Sequence, residues 1–196
     1  MGEFAFAIKN RGRQEWKITN IKFRFKVQVQ SRYKFKSYLL SKADPLFVSE
    51  TNNIITYRCI KCVFVIFTSG HVNVCGISLL EDIKGCVKLF KRHFPKYSEG
   101  MSTPIIDNIS LSGRLSFSLF TSYPEIITTL SLLCDGVPSC DPFKFPATNI
   151  RTQKGTIVVF QSGVINIMGA RRKGDFKFFK RVLQRLVRYV EQNQLY

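Results

Sequence analysis

The chain has 196 residues, enough for one domain or two small fused halves, and its 45% hydrophobic and 13% aromatic content can fill a packed core, which excludes global disorder. Thirty Lys and Arg against 13 Asp and Glu give a formal charge of +17, which calls for an anionic partner: nucleic acid, an anionic membrane face or an acidic protein. No apolar run approaches the roughly 20 residues of a spanning helix, and Met1–Lys9, interrupted by Glu3, lacks the apolar core of a cleaved leader, so the sequence reads as intracellular with no membrane partner.

Residues 1–15 show no clean period and read as an arm or loose edge. From Trp16 the pattern sharpens: Ile21, Phe23, Phe25, Val27 and Val29 alternate with Asn20, Lys22, Arg24, Lys26 and Gln28, the period of a long half-buried strand with one cationic face. Ser31 to Asp44 reads as a short helix that Asp44-Pro45 breaks. Two strands follow, over residues 54–60 and 61–67, then a Ser69-Gly70 turn and a strand over 72–75. Leu80, Ile83, Val87, Phe90 and Phe94 recur at helical spacing among Lys84, Lys88, Lys91 and Arg92.

Residues 96–103 have linker composition, and the second half then replays the order. Ile109, Leu111, Leu115 and Phe117 alternate with Asn108, Ser110, Ser112 and Arg114. A helix begins near Ser122-Tyr123-Pro124-Glu125 and runs to Cys134, and residues 135–142 read as a loop. Strands come next, near 145–152, 155–160 and 164–168. In the last helix Phe176, Phe179, Val182, Leu183, Leu186, Val187 and Val190 form one stripe, with Lys177, Lys180, Arg181, Arg185 and Arg188 on the other sides.

The replay extends to the residues themselves. Phe67-Thr-Ser-Gly-His-Val-Asn-Val-Cys-Gly76 and Phe160-Gln-Ser-Gly-Val-Ile-Asn-Ile-Met-Gly169 share one template, 93 positions apart (Phe67 to Phe160). Such spacing marks an internal duplication. Each half is strand, helix, several antiparallel strands and long helix. A lone half leaves an open sheet edge; two halves side by side would form one sheet with helices on one face and the other face bare.

The six cysteines, Cys59, Cys62, Cys75, Cys86, Cys134 and Cys140, read as reduced thiols. Cys59-x-x-Cys62 with His71 and Cys75 has a spacing that zinc could use. The competing reading places Cys59 and Cys62 on successive strands, pointing to opposite faces, as small buried hydrophobes, and no metal or other cofactor is expected. With only His71 and His93, no nucleophile–base or paired-carboxylate spacing supports an enzyme.

The ordered fragments resemble the TATA-box-binding protein family over about Trp16 to Val190. The opening strands of that family's halves are matched by Thr19-Asn20-Ile21 and Asp107-Asn108-Ile109. Its third strand is matched by Val65-Ile66-Phe67-Thr68-Ser69-Gly70 and Val158-Val159-Phe160-Gln161-Ser162-Gly163, and its fourth by Cys75-Gly76-Ile77-Ser78 and Met168-Gly169-Ala170-Arg171. The resemblance implies an α+β fold: a pseudo-twofold saddle of two β-α-β(4)-α repeats forming one curved antiparallel sheet, with helices on the convex face. It also implies boundaries: an arm at 1–15, repeats at 16–95 and 104–190, a linker at 96–103 and a tail at 191–196.

For function, the resemblance implies a transcription-initiation factor that lays its concave sheet on the minor groove of double-stranded, A·T-rich DNA and kinks it with apolar wedges. It casts Phe67 and Phe160 as wedges, partnered by Phe143 or Phe145 in the second half and Phe47 in the first. Asn20 and Asn108 would read groove acceptors. Val65 and Val158 would line the groove, and Lys61, Lys154 and Arg171 would meet phosphates. Two valines of the family are replaced by Asn73 and Asn166, which makes the concave face more polar, and Lys22, Arg24 and Arg114 make it more cationic. An asparagine at that place is similar to some TATA-box-binding-like proteins of large DNA viruses. The expected location is nuclear, or a viral replication site in the cytoplasm for a virus-encoded chain. Further partners implied are a transcription factor IIB-like factor or RNA polymerase components, with the chain a monomer on DNA and a homodimer when free. The alternative is a saddle-fold scaffold that recruits transcription machinery through basic convex helices and binds DNA weakly or without sequence preference.

Overall fold

The structure, a computed structural model, describes residues 6–9, 13–42, 48–115, 123–140 and 146–193. In chain order its elements are β1 (Phe6–Lys9), β2 (Arg13–Lys26), α1 (Arg32–Ser41), β3 (Val48–Thr51), β4 (Ile54–Arg58), β5 (Val63–Phe67), β6 (His71–Ile77) and α2 (Asp82–His93). After a 3-10 turn at Pro95–Tyr97 come β7 (Ile105–Arg114), α3 (Tyr123–Cys134), β8 (Val137–Ser139), β9 (Ala147–Thr152), β10 (Gly155–Phe160), β11 (Val164–Ala170) and α4 (Lys173–Gln192). Two compact units result, Asn20–Asp107 and Met1–Thr19 with Asn108–Tyr196, and the chain changes unit inside β2 and inside β7.

In the unit Asn20–Asp107 the antiparallel strand order is β3-β4-β5-β6-β2. Alternation decides which side chains are covered. Ile21, Phe23, Phe25, Ile55, Tyr57, Phe64, Ile66, Val72 and Val74 are buried, and their neighbours along each strand are more exposed. Phe90 of α2 closes this core, its ring 5.0 Å from that of Phe25 and 5.6 Å from that of Phe64, in tilted and edge-on contacts. Phe35 and Leu39 bring in α1, which starts where the Ser31 hydroxyl accepts from the Lys34 N–H. Part of the expected linker is packed structure: the Tyr97 ring lies 4.5 Å from that of Phe35, and the Ser102 hydroxyl accepts from the Lys26 N–H at 2.8 Å.

The other unit repeats the pattern with order β7-β11-β10-β9-β8. Ile109, Leu111, Ile150, Ile157, Val159, Ile165 and Ile167 form its buried side. All seven stripe residues of α4 expected from the sequence are buried on it. Each such apolar side chain contributes about 1.5–3 kcal/mol before conformational entropy is subtracted. Asp175 fixes the start of α4 by accepting from the N–H groups of Arg171 and Arg172 at 2.9 and 3.0 Å. On α3, the Tyr123 hydroxyl donates to the Val159 carbonyl at 2.8 Å and accepts from the Thr148 N–H at 3.0 Å.

Three elements differ from the sequence reading. The arm expected at 1–15 contains β1 and the start of β2, paired as a hairpin with Phe6 opposite Trp16. The strands β3 and β8, which periodicity did not place although the β-α-β(4)-α pattern has room for them, are short outermost strands in the two units, β3 largely polar and β8 carrying Pro138. An edge strand needs neither strict alternation nor every N–H, so neither signals itself. Cys59 and Cys62 also depart from expectation. They flank the turn between β4 and β5, where the Cys59 N–H donates to the Cys62 carbonyl at 2.8 Å. Cross-strand partners share a face, so the two thiols meet instead of pointing apart.

Candidate nucleic-acid interface

Each unit has one sheet face covered by helices, and the sequence-derived candidates in the described strands project mainly from the opposite face. In β2, Asn20, Lys22 and Arg24 alternate with buried Ile21, Phe23 and Phe25; in β7, Asn108, Ser110 and Ser112 alternate with buried Ile109 and Leu111. Register then builds rows. Thr56, Val65, Asn73 and Arg24 lie side by side across β4, β5, β6 and β2. Their counterparts are Asn149, Val158, Asn166 and Ser112 across β9, β10, β11 and β7. Val65 is half-buried, whereas Val158, between two asparagines, is 3% exposed and forms the floor of its row. Neither Asn73 nor Asn166 has a side-chain hydrogen bond among the described residues, so both amides are available to a ligand.

Asn20 and Asn108 are held by matching devices. The ladder between β2 and β6 slips between Ile21 and Phe23, and that on β11 slips between Ile167 and Ala170. At each slip sits a glycine with φ +90°, Gly76 or Gly169, in a conformation that disfavours any side chain. The Gly76 N–H donates to Asn20 Oδ1 at 2.8 Å, and the Gly169 N–H donates to Asn108 Oδ1. Because the carboxamide oxygen takes the bulge N–H, its Nδ2 group remains as donor. Asn108 Nδ2 also reaches the Ser110 hydroxyl at 3.1 Å.

The two phenylalanines of the repeated template occupy equivalent strand ends. Both Phe67 and Phe160 are half-buried. Their carbonyls accept from Gly70 and Gly163 at 2.8 and 3.0 Å, and these glycines' carbonyls accept from Val27 and Leu115, each at 2.9 Å. Each Ser-Gly turn is thereby tied to the chain just beyond the first strand of its half. Phe47, Phe143 and Phe145 lie outside the described residues.

The cations are unevenly placed. Lys61 and Lys154 are exposed in the β4–β5 and β9–β10 turns, 93 positions apart, and Arg171 is exposed just before α4. Arg24 forms an ion pair with Asp107 at 3.4 Å while its side chain stays 57% exposed. Arg114 donates to the Ser162 carbonyl at 3.3 Å and so folds onto its turn. Thr56 and Asn149 were missed in the sequence, although the 93-residue offset that links Phe67 to Phe160 also links them.

The cysteines divide by face. Cys75 lies half-buried on the open side of β6, while Cys62 and Cys86 are buried with half-buried Cys59 beside them. The Cys62 thiol donates to the Cys86 sulfur, which pushes Cys62 up and draws Cys86 down, while burial raises Cys59. No group of three or more His, Cys, Asp or Glu side chains among the described residues is placed to hold a metal ion. Tyr57 and His93 meet at 3.3 Å as part of the core, away from any nucleophile–base pairing.

Two-repeat architecture and matching open faces define an α+β protein of internally duplicated type. Over 190 residues the chain is 26% identical to the TATA-box-binding protein of Thermococcus kodakarensis, covering 88% of this chain and 94% of that protein. Its fold matches the solved structure of Methanococcus jannaschii TBP with a TM-score of 0.66 at 18% identity, covering 89% of this chain and 99% of that one. No protein-family model matches the chain. The chain is thus similar in sequence to a TATA-box-binding protein and shares the fold of one.

Proposed function

We propose that the chain is a non-enzymatic transcription-initiation factor that binds double-stranded DNA from the minor-groove side through the helix-free faces of its two repeats. The observation that carries this reading is the matched pair Asn20 and Asn108. Each spends its carboxamide oxygen on a bulge N–H and keeps Nδ2 to donate. The minor groove offers adenine N3 and thymine O2 as acceptors at every A·T pair, whichever strand carries which base, so donors suit it. Around that pair, Phe67 and Phe160 act as wedges, Val65 and Val158 line the contact, Asn73 and Asn166 add donors, and Lys61, Lys154 and Arg171 meet phosphates. Unstacking a base step costs a few kcal/mol, which curved DNA returns by touching more protein.

The test is titration of A·T-rich and G·C-rich duplexes at two salt concentrations. Tighter binding to the A·T-rich duplex at both is the expected result. Equal affinity for the two duplexes removes groove readout from the function.

One observation favours a second reading, a scaffold for transcription machinery such as a transcription factor IIB-like factor or polymerase components. A cavity of about 540 Å³ lies between the β4–β5 turn and α2, lined by Ile60, Leu89 and Cys86 and flanked by Arg58, Lys61 and Arg92. Binding without base preference or bending is the outcome that selects the scaffold. We place the chain's action, as part of the same proposal, in the nucleus, or at a viral replication site in the cytoplasm for a virus-encoded chain.

A further inference from the structure

We propose that the cavity between the β4–β5 turn and α2 is a thiol–disulfide exchange site that takes an anionic low-molecular-weight disulfide, with Cys86 as the entry thiol and Cys62 as the thiol that resolves it. All the groups concerned lie within the unit Asn20–Asp107, on the side that α2 covers. The site therefore stands whether or not the open face binds DNA.

Three thiols converge there. Cys59 and Cys62 close the Ile60-Lys61 turn, where the Cys59 N–H donates to the Cys62 carbonyl at 2.8 Å, and they continue the register that sets Arg58 opposite Val63. Cross-strand partners share a face, and the Cys62 thiol meets the sulfurs of both Cys59 and Cys86. Cys59 and Cys86 line the cavity of about 540 Å³, and Cys62 lies buried against both. Because Cys62 donates to it, Cys86 is the sulfur of the three with most thiolate character, while burial holds Cys59 up. Gly85, next to Cys86, lines the same cavity. Glycine disfavours a helix interior, and a Cβ at this place would meet nothing within 4 Å, so packing does not require it. Its missing side chain leaves the approach to Cys86 open. Arg58, Lys61 and Arg92 line the cavity alongside the carboxylate of Asp82, a positive excess that concentrates an anionic reagent.

The exchange runs in two displacements. The Cys86 thiolate attacks one sulfur of the small disulfide and forms a mixed disulfide; the old S–S bond breaks, and its electron pair leaves with the first small thiolate. Cys62 then gives its proton to water and attacks the Cys86 sulfur, expelling the second small thiolate. Both leaving groups take up a proton. Two protein thiols are oxidised to the Cys62–Cys86 disulfide, and one small disulfide is reduced to two thiols.

The test incubates the full chain with glutathione disulfide, which is anionic, or cystamine, which is cationic, and locates the modified sulfurs by peptide mass. Each rate is divided by that of the same disulfide with a free cysteine peptide. The expected product with glutathione disulfide is a Cys62–Cys86 link with release of two glutathiones, and Cys62→Ser should instead hold one glutathione on Cys86. Normalised capture at Cys86 should favour glutathione disulfide over cystamine by about tenfold at low salt, a preference that added salt erodes. Gly85→Leu should slow that capture while leaving the urea midpoint no lower than the parent's. Capture at Cys86 no faster than at Cys134, a buried thiol of the other unit, would mean general opening of the chain and would overturn the site. A Cys59–Cys62 link in place of Cys62–Cys86 overturns the assignment of the entry thiol. An equal or higher normalised rate with cystamine overturns the anionic class of reagent.

Discussion

At Asn108 one side chain holds a backbone irregularity and presents a donor, and substitution can separate the two duties. Asn108→Asp keeps an oxygen for the Gly169 N–H but replaces Nδ2, whose one hydrogen bond among the described residues is to the Ser110 hydroxyl, with a second oxygen that shares the carboxylate's negative charge. Its stability in urea should stay within about 0.5 kcal/mol of the parent, while preference for A·T-rich over G·C-rich duplexes falls. Asn108→Ala leaves the bulge N–H without its acceptor and should lose about 1 kcal/mol of stability as well. If Asn108→Asp retains full base preference, the amide does not read the groove. The bulge glycine gives a companion prediction. Gly169 has φ +90°, and a Cβ there would stand 3.2 Å from the Gly155 Cα. Gly169→Ala should therefore cost about 1–2 kcal/mol, whereas Gly85→Ala, in α2 with nothing within 4 Å, should stabilise by about 0.5–1 kcal/mol. Urea midpoints of the two variants should move in opposite directions.

Among the elements, α2 carries a pH dependence. Its last residue, His93, is held below the ordinary histidine value, first by burial and then by the nearby charge of Arg92. The unfolded chain therefore binds the proton more readily than the folded one. Stability is fully present above about pH 6.5 and declines as pH falls from there toward the lower folded value. His93→Phe should flatten the pH 5–7 portion of the stability curve, read by denaturant midpoints across that range. An unchanged slope would mean that His93 is not the titrating group. Elements with one large apolar face were legible in the sequence: the α4 stripe from Phe176 to Val190 and the alternation in β2 from Ile21 to Phe25 both reappear as buried faces. The elements hidden in the sequence were those held by pairing rather than by a buried face. β1 depends on register with β2, and β8 tolerates Pro138 because it lies at an edge. Cys59 and Cys62 were misread because a tight turn, not strand periodicity, brings them together.

At the scale of the molecule, duplication made the candidate site readable. A residue suspected in one repeat has a counterpart at the same structural place, as Asn73 has Asn166 and Val65 has Val158. What duplication could not reveal was the division of labour within Asn20 and Asn108, since an amide's orientation depends on which N–H it meets. A formal charge of +17 adds a sequence-independent contribution that weakens with salt. Replacing Lys22 and Arg24 with serine should lower the slope of log affinity against log salt by about 1–2, with little change in the A·T preference. A slope equal to the parent's would place those cations away from phosphate. Bending is the property that separates a groove-wedging protein from a merely cationic one. Fluorescence transfer between the ends of an A·T-rich duplex should rise on saturation with the parent chain and stay near the free-DNA value with Phe67→Ala and Phe160→Ala combined, although that variant still binds. Transfer that does not change with the parent chain, or rises equally with the double variant, would contradict insertion by these two phenylalanines.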